Sequence, residues 1–328
     1  MHVLWLFLMR VSLHKDPYLK TASHVATLEF VRRVVGISVP KVITFDTSSD
    51  NELGFEWILM GLMPGRPLHD YWKEIESPEK IKLVKQLAIF QAKLFNHRFG
   101  GIGNLYYETP HVETKDSTAP QESAQSSEPA FILGKMVSKT PFRCPWPEVP
   151  AGPFKNSHDW LHYRLSYTIN AQEREIEESI RDGGKAWMLK RRMSLAVRLL
   201  ELLPSIFPVD ETESTFLRHD NLSLANIQVD EFGDISAITD WECISALPLW
   251  RGCLEACLDD TCDSQLRVLY VAETQRLQPD WEEQVNKHWV KADFERAVHH
   301  VNDGCYYEVI QEWLDGYDDG WTWSWRQQ

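Results

Sequence analysis

The segment from Leu217 to Glu242 constrains the fold of this chain most strongly, because its polar residues recur at defined places between short apolar runs. It reads LRHDNLSLANIQVDEFGDISAITDWE. Two apolar runs flank the polar, glycine-containing turn Glu231–Asp234, which predicts strand, turn and strand. A polar loop precedes this hairpin and an acid follows it. The loop residues predicted to carry chemistry are His219, Asp220, Asn221, Asn226 and Asp240.

The spacing of these residues is that of a phosphotransfer loop. A kinase catalytic loop has the form H-R-D-x-x-x-x-N, in which the Asp accepts a hydroxyl proton and the Asn binds magnesium. His219 and Asn226 match the two ends of this pattern, but the base position holds Asn221. Asp220 lies one residue too early and is the only other acid nearby. Because a neutral amide cannot take a proton, the spacing predicts a loop without its base.

The acid after the hairpin, Asp240, ends an apolar run, as the metal-binding Asp of a kinase does. Magnesium prefers hard oxygen ligands, so the amide oxygen of Asn226 and the carboxylate of Asp240 are suitable. We therefore predict Asn226 and Asp240 as metal ligands, and His219 as a support of the loop through its ring nitrogens. The alternative is a solvated hairpin loop without chemistry, and the DWE sequence in register after the hairpin disfavours it.

The segment resembles the aminoglycoside phosphotransferase and choline kinase-like family, in its fungal branch. That branch typically reads H-x-D-L-S-L-x-N-I-L-V-D, then I-x-x-I-D-W-E and Pro-Leu-Trp. This chain reads HDNLSLANIQVD, ISAITDWE and Pro248-Leu249-Trp250. The resemblance extends over nearly the whole chain. Further stretches that agree in order are Ala26–Arg32, Ile37–Val42, Phe55–Met60, Met63–Leu68, Phe99–Tyr106 and Gly152–Phe154.

The resemblance implies a fold of class α+β, the two-lobed protein-kinase-like fold. A truncated small N-terminal α/β lobe is expected over residues 1–60, a hinge over 61–68 and a mainly helical large C-terminal lobe over 69–328. The large lobe would carry a polar insertion at about residues 108–129, which is rich in Ser, Thr, Glu and Pro. The implied reaction is ATP- and Mg²⁺-dependent O-phosphorylation of a small molecule, with the nucleotide in the cleft between the lobes.

The resemblance also assigns the nucleotide contacts. Arg10 follows the apolar run Val3–Met9, which we expect to be a buried strand. In the family this strand carries the Lys or Arg that touches the nucleotide phosphates, and Arg10 holds that position. The alternative is that Arg10 only ends a strand at the surface. The residues expected to bind adenine are those at the start of the hinge, Met60, Gly61, Leu62 and Met63.

Two further departures accompany Asn221. His24 occupies the position of the first-helix Glu that pairs with the strand cation, and Glu29 lies about 140° around the helix, too far to replace it. No glycine precedes Gly36, so the phosphate-covering glycine loop is absent. Loss of the base alone lowers a rate by about 10²–10⁴-fold. The sequence therefore predicts weak or lost activity. The alternatives are an inactive kinase-like binding or scaffold protein, or a truncated gene model of an active kinase.

The net charge and the apolar N-terminal run limit the classes of molecule that this chain is expected to bind. The net charge of -14 disfavours sequence-independent binding of nucleic acid, which depends on basic patches. It is compatible with an amine substrate. The run Val3–Met9 is too short to cross a bilayer and lacks the features of a signal peptide. We therefore expect a cytoplasmic protein whose partners are a nucleotide and a small hydroxyl or amine substrate, without a membrane or nucleic-acid partner.

Overall fold

The computed structural model describes residues 6–13, 17–108, 130–137, 152–184, 186–251, 264–281, 283 and 288–320. The predicted polar insertion therefore lies, except for residue 108, outside the described residues. The small lobe contains an antiparallel sheet of three strands in the order β1-β3-β2. Its strands are β1 (Phe7–Ser12), β2 (Val42–Asp46) and β3 (Glu56–Gly61).

Helix α1 (Leu19–Phe30) joins the small sheet to the rest of the molecule. Val25 packs with Ile58 and Met60 of the sheet, whereas Phe30 belongs to the large apolar core. The helix continues as a π-helical turn and ends at Gly36, whose φ of 70° is a left-handed conformation that glycine adopts without strain. Helix α1 therefore packs against the small lobe through one face and against the large lobe through another.

Two further sheets lie on the large-lobe side. The first has the order β6-β5-β10-β7 and the second the order β4-β8-β9. Their strands are β4 (Arg66–Pro67), β5 (Gly103–Tyr107), β6 (Phe131–Gly134), β7 (Thr215–Arg218), β8 (Ile227–Val229), β9 (Ile235–Ile238) and β10 (Ser245–Pro248). The predicted hairpin around the turn Glu231–Asp234 is the β8–β9 pair.

The remaining helices build the large lobe around two apolar cores. They are α2 (Ser77–Asn96), α3 (Ser157–Arg181), α4 (Trp187–Ile206), α5 (Ser264–Leu277), α6 (Trp289–His300) and α7 (Tyr307–Asp318). One core surrounds Trp241 and the hairpin, and the other joins α3, α4, α6 and α7. The α+β class with a small sheet lobe and a helical lobe is thus confirmed. None of the helices in the described ranges combines the length and hydropathy needed to cross a membrane.

Candidate active site

The hairpin fixes the relative position of the two predicted metal ligands. Ile227 of β8 pairs with Ile238 of β9, so the chain enters the hairpin directly after Asn226 and leaves it just before Asp240. Thr239 secures this end of the hairpin. Its N–H and its hydroxyl both donate to the carbonyl of Asn226, at 2.9 and 3.2 Å. Asn226 and Asp240 are therefore held at neighbouring strand ends by the backbone itself.

Two buried rings hold the preceding loop against the hairpin. His219 Nε2 donates to the carbonyl of Thr239 at 2.9 Å, and the His219 ring meets Trp241 edge to face with centroids 4.7 Å apart. Trp241 is fully buried and donates from Nε1 to the carbonyl of Ile238 at 2.9 Å. These contacts place His219 where the sequence predicts a support of the loop.

Asn221 lies directly beside the carboxylate of Asp240. Its Nδ2 donates to Oδ2 of Asp240 at 2.6 Å, while its own carbonyl accepts from Asn226 Nδ2 at 2.7 Å. Asp240 has a φ of 63°, a left-handed conformation that is uncommon outside glycine and is often found at functional sites. The residue in the base position therefore donates a hydrogen bond to the predicted metal carboxylate instead of accepting a proton.

Asp220, the remaining acid of the loop, points elsewhere. It is exposed, and its Oδ1 lies 3.4 Å from Nε of Arg218 at the end of β7. With Asn221 it lines one end of a cavity of about 960 Å³ beside the loop. The acid next to the base position in sequence is thus available to a molecule in this cavity.

Arg10 reaches the metal loop from the small lobe. It lies on β1, where it pairs in register with Ile58. The expectation of a buried strand before Arg10 is wrong for its described part, because Phe7, Leu8 and Met9 are exposed. Nη1 of Arg10 is 3.6 Å from Oδ1 of Asp240, and its Nη2 forms an ion pair with Glu242. Lys20 of α1 also binds Glu242, with Nζ 2.5 Å from Oε1. The predicted phosphate cation therefore lies at the predicted metal ligand Asp240, together with a second cation.

The acid that pairs with the strand cation comes from the loop after β9 instead of from helix α1. His24 is buried on α1. Glu29 of the same helix binds Arg32 and Arg33, with Oε2 2.9 and 2.5 Å from their nitrogens. Sequence reasoning missed Glu242 and Lys20. The only local signal for Glu242 was its position in the DWE sequence, and Lys20 had none.

The hinge residues are separate from the loop. Met60 and Gly61 end β3, Met60 is buried, and Leu62 is exposed. The N–H groups of Gly61 and Leu62 donate to the carbonyls of Lys41 and Leu6, at 2.9 and 3.0 Å. The backbone N–H of Met63 forms no hydrogen bond within the described part of the chain. Of the four predicted adenine contacts, Met63 thus offers the available donor.

The oxygen atoms at the strand ends suit Mg²⁺. Because Asn226 uses its Nδ2 on the carbonyl of Asn221, its side-chain oxygen is the atom left for a ligand. The second donor is the carboxylate of Asp240. Within the described ranges, no group of three or more His, Cys, Asp and Glu side chains is placed to hold a metal. A small protein ligand set is typical of Mg²⁺, which keeps several waters and binds substrate phosphates.

Comparison with known proteins agrees with this geometry. The model of the phosphotransferase enzyme family, APH, matches residues 6–251. The chain therefore belongs to this phosphotransferase family, as the motifs around Asn226 and Asp240 predict. The roles of the individual site residues stay predictions.

Curated relatives are longer than this chain. A subtelomeric hrmA-associated cluster protein of Aspergillus fumigatus is 26% identical over 265 residues, which are 70% of this chain and 50% of that protein. The altered inheritance of mitochondria protein 9 of Vanderwaltozyma polyspora is 23% identical over 262 residues, 69% of this chain and 40% of that protein. The chain thus spans half the length, or less, of these two relatives.

Solved structures share the fold. The ADP-bound aminoglycoside phosphotransferase APH(2'')-Ib superposes with a TM-score of 0.52 at 13% identity, covering 94% of this chain and 85% of that one. The gentamicin complex of APH(2")-IIa gives a TM-score of 0.51 at 12% identity, covering 94% and 84%. At such low identity the likeness concerns the fold, and it confirms the kinase-like architecture.

Proposed function

We propose that this chain binds ATP with Mg²⁺ in the cleft between its lobes, and that it transfers the phosphoryl group to a small hydroxyl or amine compound weakly or not at all. The observation that carries the proposal is the hydrogen bond from Asn221 to Asp240, 2.6 Å long, at the base position of a phosphotransfer loop. The ADP and gentamicin in the complexes of structural relatives support a nucleotide and a small-molecule acceptor.

Each site residue has a role in this proposal. Asn226 and Asp240 hold Mg²⁺, which when bound neutralises charge on the phosphates. Arg10 and Lys20 bind phosphate oxygens, a role that requires them to share or leave Glu242 and Asp240. The N–H of Met63 donates to adenine. These groups act by position and charge, and both matter more than covalent chemistry in phosphoryl transfer.

The missing base limits the reaction. Asn221 is neutral and already donates to Asp240, so it cannot accept a hydroxyl proton. Asp220 lines the cavity and is the acid next to that position in sequence. Without a well-placed base the rate falls by about 10²–10⁴-fold. Binding of nucleotide is expected to survive this loss, because it depends on other residues.

Two measurements test the proposal. Mg²⁺-ATP is expected to raise the melting temperature of the chain, and Asp240→Ala to remove this shift, while Asp240→Ala has little effect on the response to ATP alone. Turnover of ATP with mixed hydroxyl and amine compounds is expected to be near background, and to increase in Asn221→Asp. Efficient turnover by the wild-type chain that Asp240→Ala abolishes would contradict the weak-activity part. Absence of any Mg²⁺-ATP shift would contradict the binding part.

A further inference from the structure

The cavity beside the catalytic loop extends far beyond the loop. One end is lined by Asp220, Asn221 and Glu242, where a phosphoryl acceptor would lie. The other end is lined by residues of α3, α4 and α6 and by the turn before α7. At about 960 Å³ the cavity is large enough for a sugar-sized molecule. Its far wall can therefore contact the part of the acceptor that does not react.

A buried charge cluster forms this wall. Glu295 of α6 accepts from Nη1 of Arg164 at 2.6 Å, and its second oxygen accepts from Nη1 of Arg251, which follows β10. Burial of Glu295 would raise its pKa, but the charges of Arg251 and Arg164 outweigh this and lower the pKa to about 2. The carboxylate is therefore ionised and is shared by two guanidinium groups.

The wall retains a donor that a ligand can use. The side chain of Arg251 is 26% exposed, and its one hydrogen bond within the described residues runs from Nη1 to Glu295. Because Nε has no accessible surface, Nη2 is the nitrogen of Arg251 that a ligand can reach. Arg192 of α4 also lines the cavity. It forms no ion pair or hydrogen bond with the described residues. Its guanidinium lies against Gly304, where an added Cβ would be 2.8 Å from Nη2.

Ionised Glu295 offsets one of the three arginines at the far wall, and the other acids of the cavity do not offset the remaining two. Glu175 and Asp303 are exposed at its edge, where solvent screens them. Asp303 also accepts from the N–H of Cys305 at 3.0 Å. His299 adds no positive charge near neutral pH, because burial lowers its pKa. An ammonium group at this wall would therefore be repelled by guanidinium groups. The net charge of the chain alone suggests instead that a cationic substrate is favoured.

We propose that the acceptor of this phosphotransferase carries an anionic group, a carboxylate or a phosphate, that binds Arg251 in the field of Arg164 and Arg192. The hydroxyl of the same molecule then lies at Asp220 and Asn221. Guanidinium groups suit this role because they bind carboxylate and phosphate oxygens through directed, charge-assisted hydrogen bonds. The proposal rests on the proposed function only in taking the cavity as the acceptor site.

The test compares four pyranoses that differ in charge: glucuronate, glucose 6-phosphate, glucose and glucosamine. Saturation-transfer NMR on the full chain without nucleotide measures their binding at low salt. Glucuronate or glucose 6-phosphate is expected to bind at least about tenfold more tightly than glucose, the effect of one charge-assisted hydrogen bond. If glucuronate binds more tightly, the anionic group of the acceptor is a carboxylate; if glucose 6-phosphate binds more tightly, it is a phosphate. Equal binding of all four, preference for glucosamine, or binding of none overturns the proposal.

Variants assign the effect to the far wall. Arg251→Gln is expected to remove the preference for anions and Arg251→Lys to retain part of it, while Glu295 keeps Arg164 as a partner in both. Arg198→Gln is the matched control, because Arg198 binds Asp315 and Asp318 on the surface at 2.9 and 2.8 Å. An anion preference that survives Arg251→Gln would overturn the assignment. Because these measurements omit nucleotide, their result is independent of whether Mg²⁺-ATP binds.

Discussion

The contact between Asn221 and Asp240 can be tested by adding one charge. Asn221→Asp replaces a donated hydrogen bond of 2.6 Å by a second carboxylate beside Asp240. Without Mg²⁺ the two like charges repel, and Arg10 at 3.6 Å from Asp240 offsets only part of this repulsion, so we expect a loss of about 1–2 kcal/mol of stability. Bound Mg²⁺ relieves this repulsion. Mg²⁺ is therefore expected to raise the melting temperature of Asn221→Asp more than that of the wild type.

Asn221→Ala provides the matched control for this experiment, since it removes the hydrogen bond without adding a charge. Its melting temperature is expected to respond to Mg²⁺ no more than that of the wild type. An equal response of all three proteins would show that Mg²⁺ does not bind close enough to residue 221 to relieve the added charge.

Glu242 replaces the missing acid of α1, and a second substitution tests this role. Glu242→Gln leaves Arg10 and Lys20 close together without their shared carboxylate. Because Glu242 is buried while Arg10 is partly exposed, we expect a loss of about 2 kcal/mol, below the range for fully buried pairs. Phosphates that bind both cations restore part of it. Mg²⁺-ATP is thus expected to raise the melting temperature of Glu242→Gln more than that of the wild type.

Glu29→Gln is the control on the same lobe, because its partners Arg32 and Arg33 lie within one turn of the same helical segment. Its response to Mg²⁺-ATP is expected to match that of the wild type. If Glu242→Gln also responds like the wild type, Arg10 and Lys20 do not bind the nucleotide phosphates.

At the scale of the secondary-structure elements, Asn104 links the lobes. It is fully buried on β5, its Nδ2 donates to Ser23 Oγ of α1 at 3.2 Å, and its Oδ1 accepts from Ser245 Oγ of β10 at 2.8 Å. The same oxygen accepts from the N–H of Val137 at 3.2 Å. One amide therefore connects the small-lobe helix, two strands and a loop of the large lobe.

Asn104→Ala is expected to lower the free energy of unfolding by about 3 kcal/mol, because it leaves several buried polar groups without partners. Asn51→Ala is a suitable control, since Asn51 makes only local hydrogen bonds in an exposed loop between β2 and β3. Urea unfolding of both variants measures the difference. A loss in Asn104→Ala no larger than that in Asn51→Ala would show that the link contributes little.

The hairpin and its loop could be predicted from the sequence because their contacts are local. Asn226 and Asp240 are joined by two short strands whose register follows from alternating apolar residues and a glycine turn. The small sheet and helix α1 follow the same local signals. The partners of Arg10 could not be predicted in this way. Glu242 reaches Arg10 only after the lobes have packed together, and no spacing within either segment records that contact.

The far wall of the cavity shows the same limit at longer range. Arg164 and Glu295 are 131 positions apart in sequence, and each sits in an ordinary amphipathic helix. The sequence of such a helix does not distinguish a buried acid from an exposed one, because an acid can be buried only where a cation from another element pairs with it. The net charge of -14 also averages over the whole surface, so it does not show that arginines line the far wall of the cavity.

At the scale of the whole molecule, the charges of the large lobe determine its response to acid. Glu295 connects α3, α6 and the turn after β10 through Arg164 and Arg251. Burial opposes its ionisation, yet the two arginines lower its pKa to about 2 from an ordinary value of 4.5. A carboxyl whose pKa is lower in the folded state stabilises the fold fully above pH 4.5. That contribution is lost as the pH falls from 4.5 towards 2.

Glu295→Gln is therefore expected to cost most stability near neutral pH and progressively less below pH 4.5, as the wild type loses the same contribution. Urea unfolding between pH 3.5 and 8 measures this difference. Burial also lowers the pKa of His299, so both proteins lose stability as the pH falls below about 6.5, where the unfolded histidine takes up a proton. Glu308→Gln removes an exposed pair with Arg191 and is expected to change little at any pH. A cost of Glu295→Gln that stays constant down to pH 3.5 would show that the two arginines do not stabilise the Glu295 carboxylate.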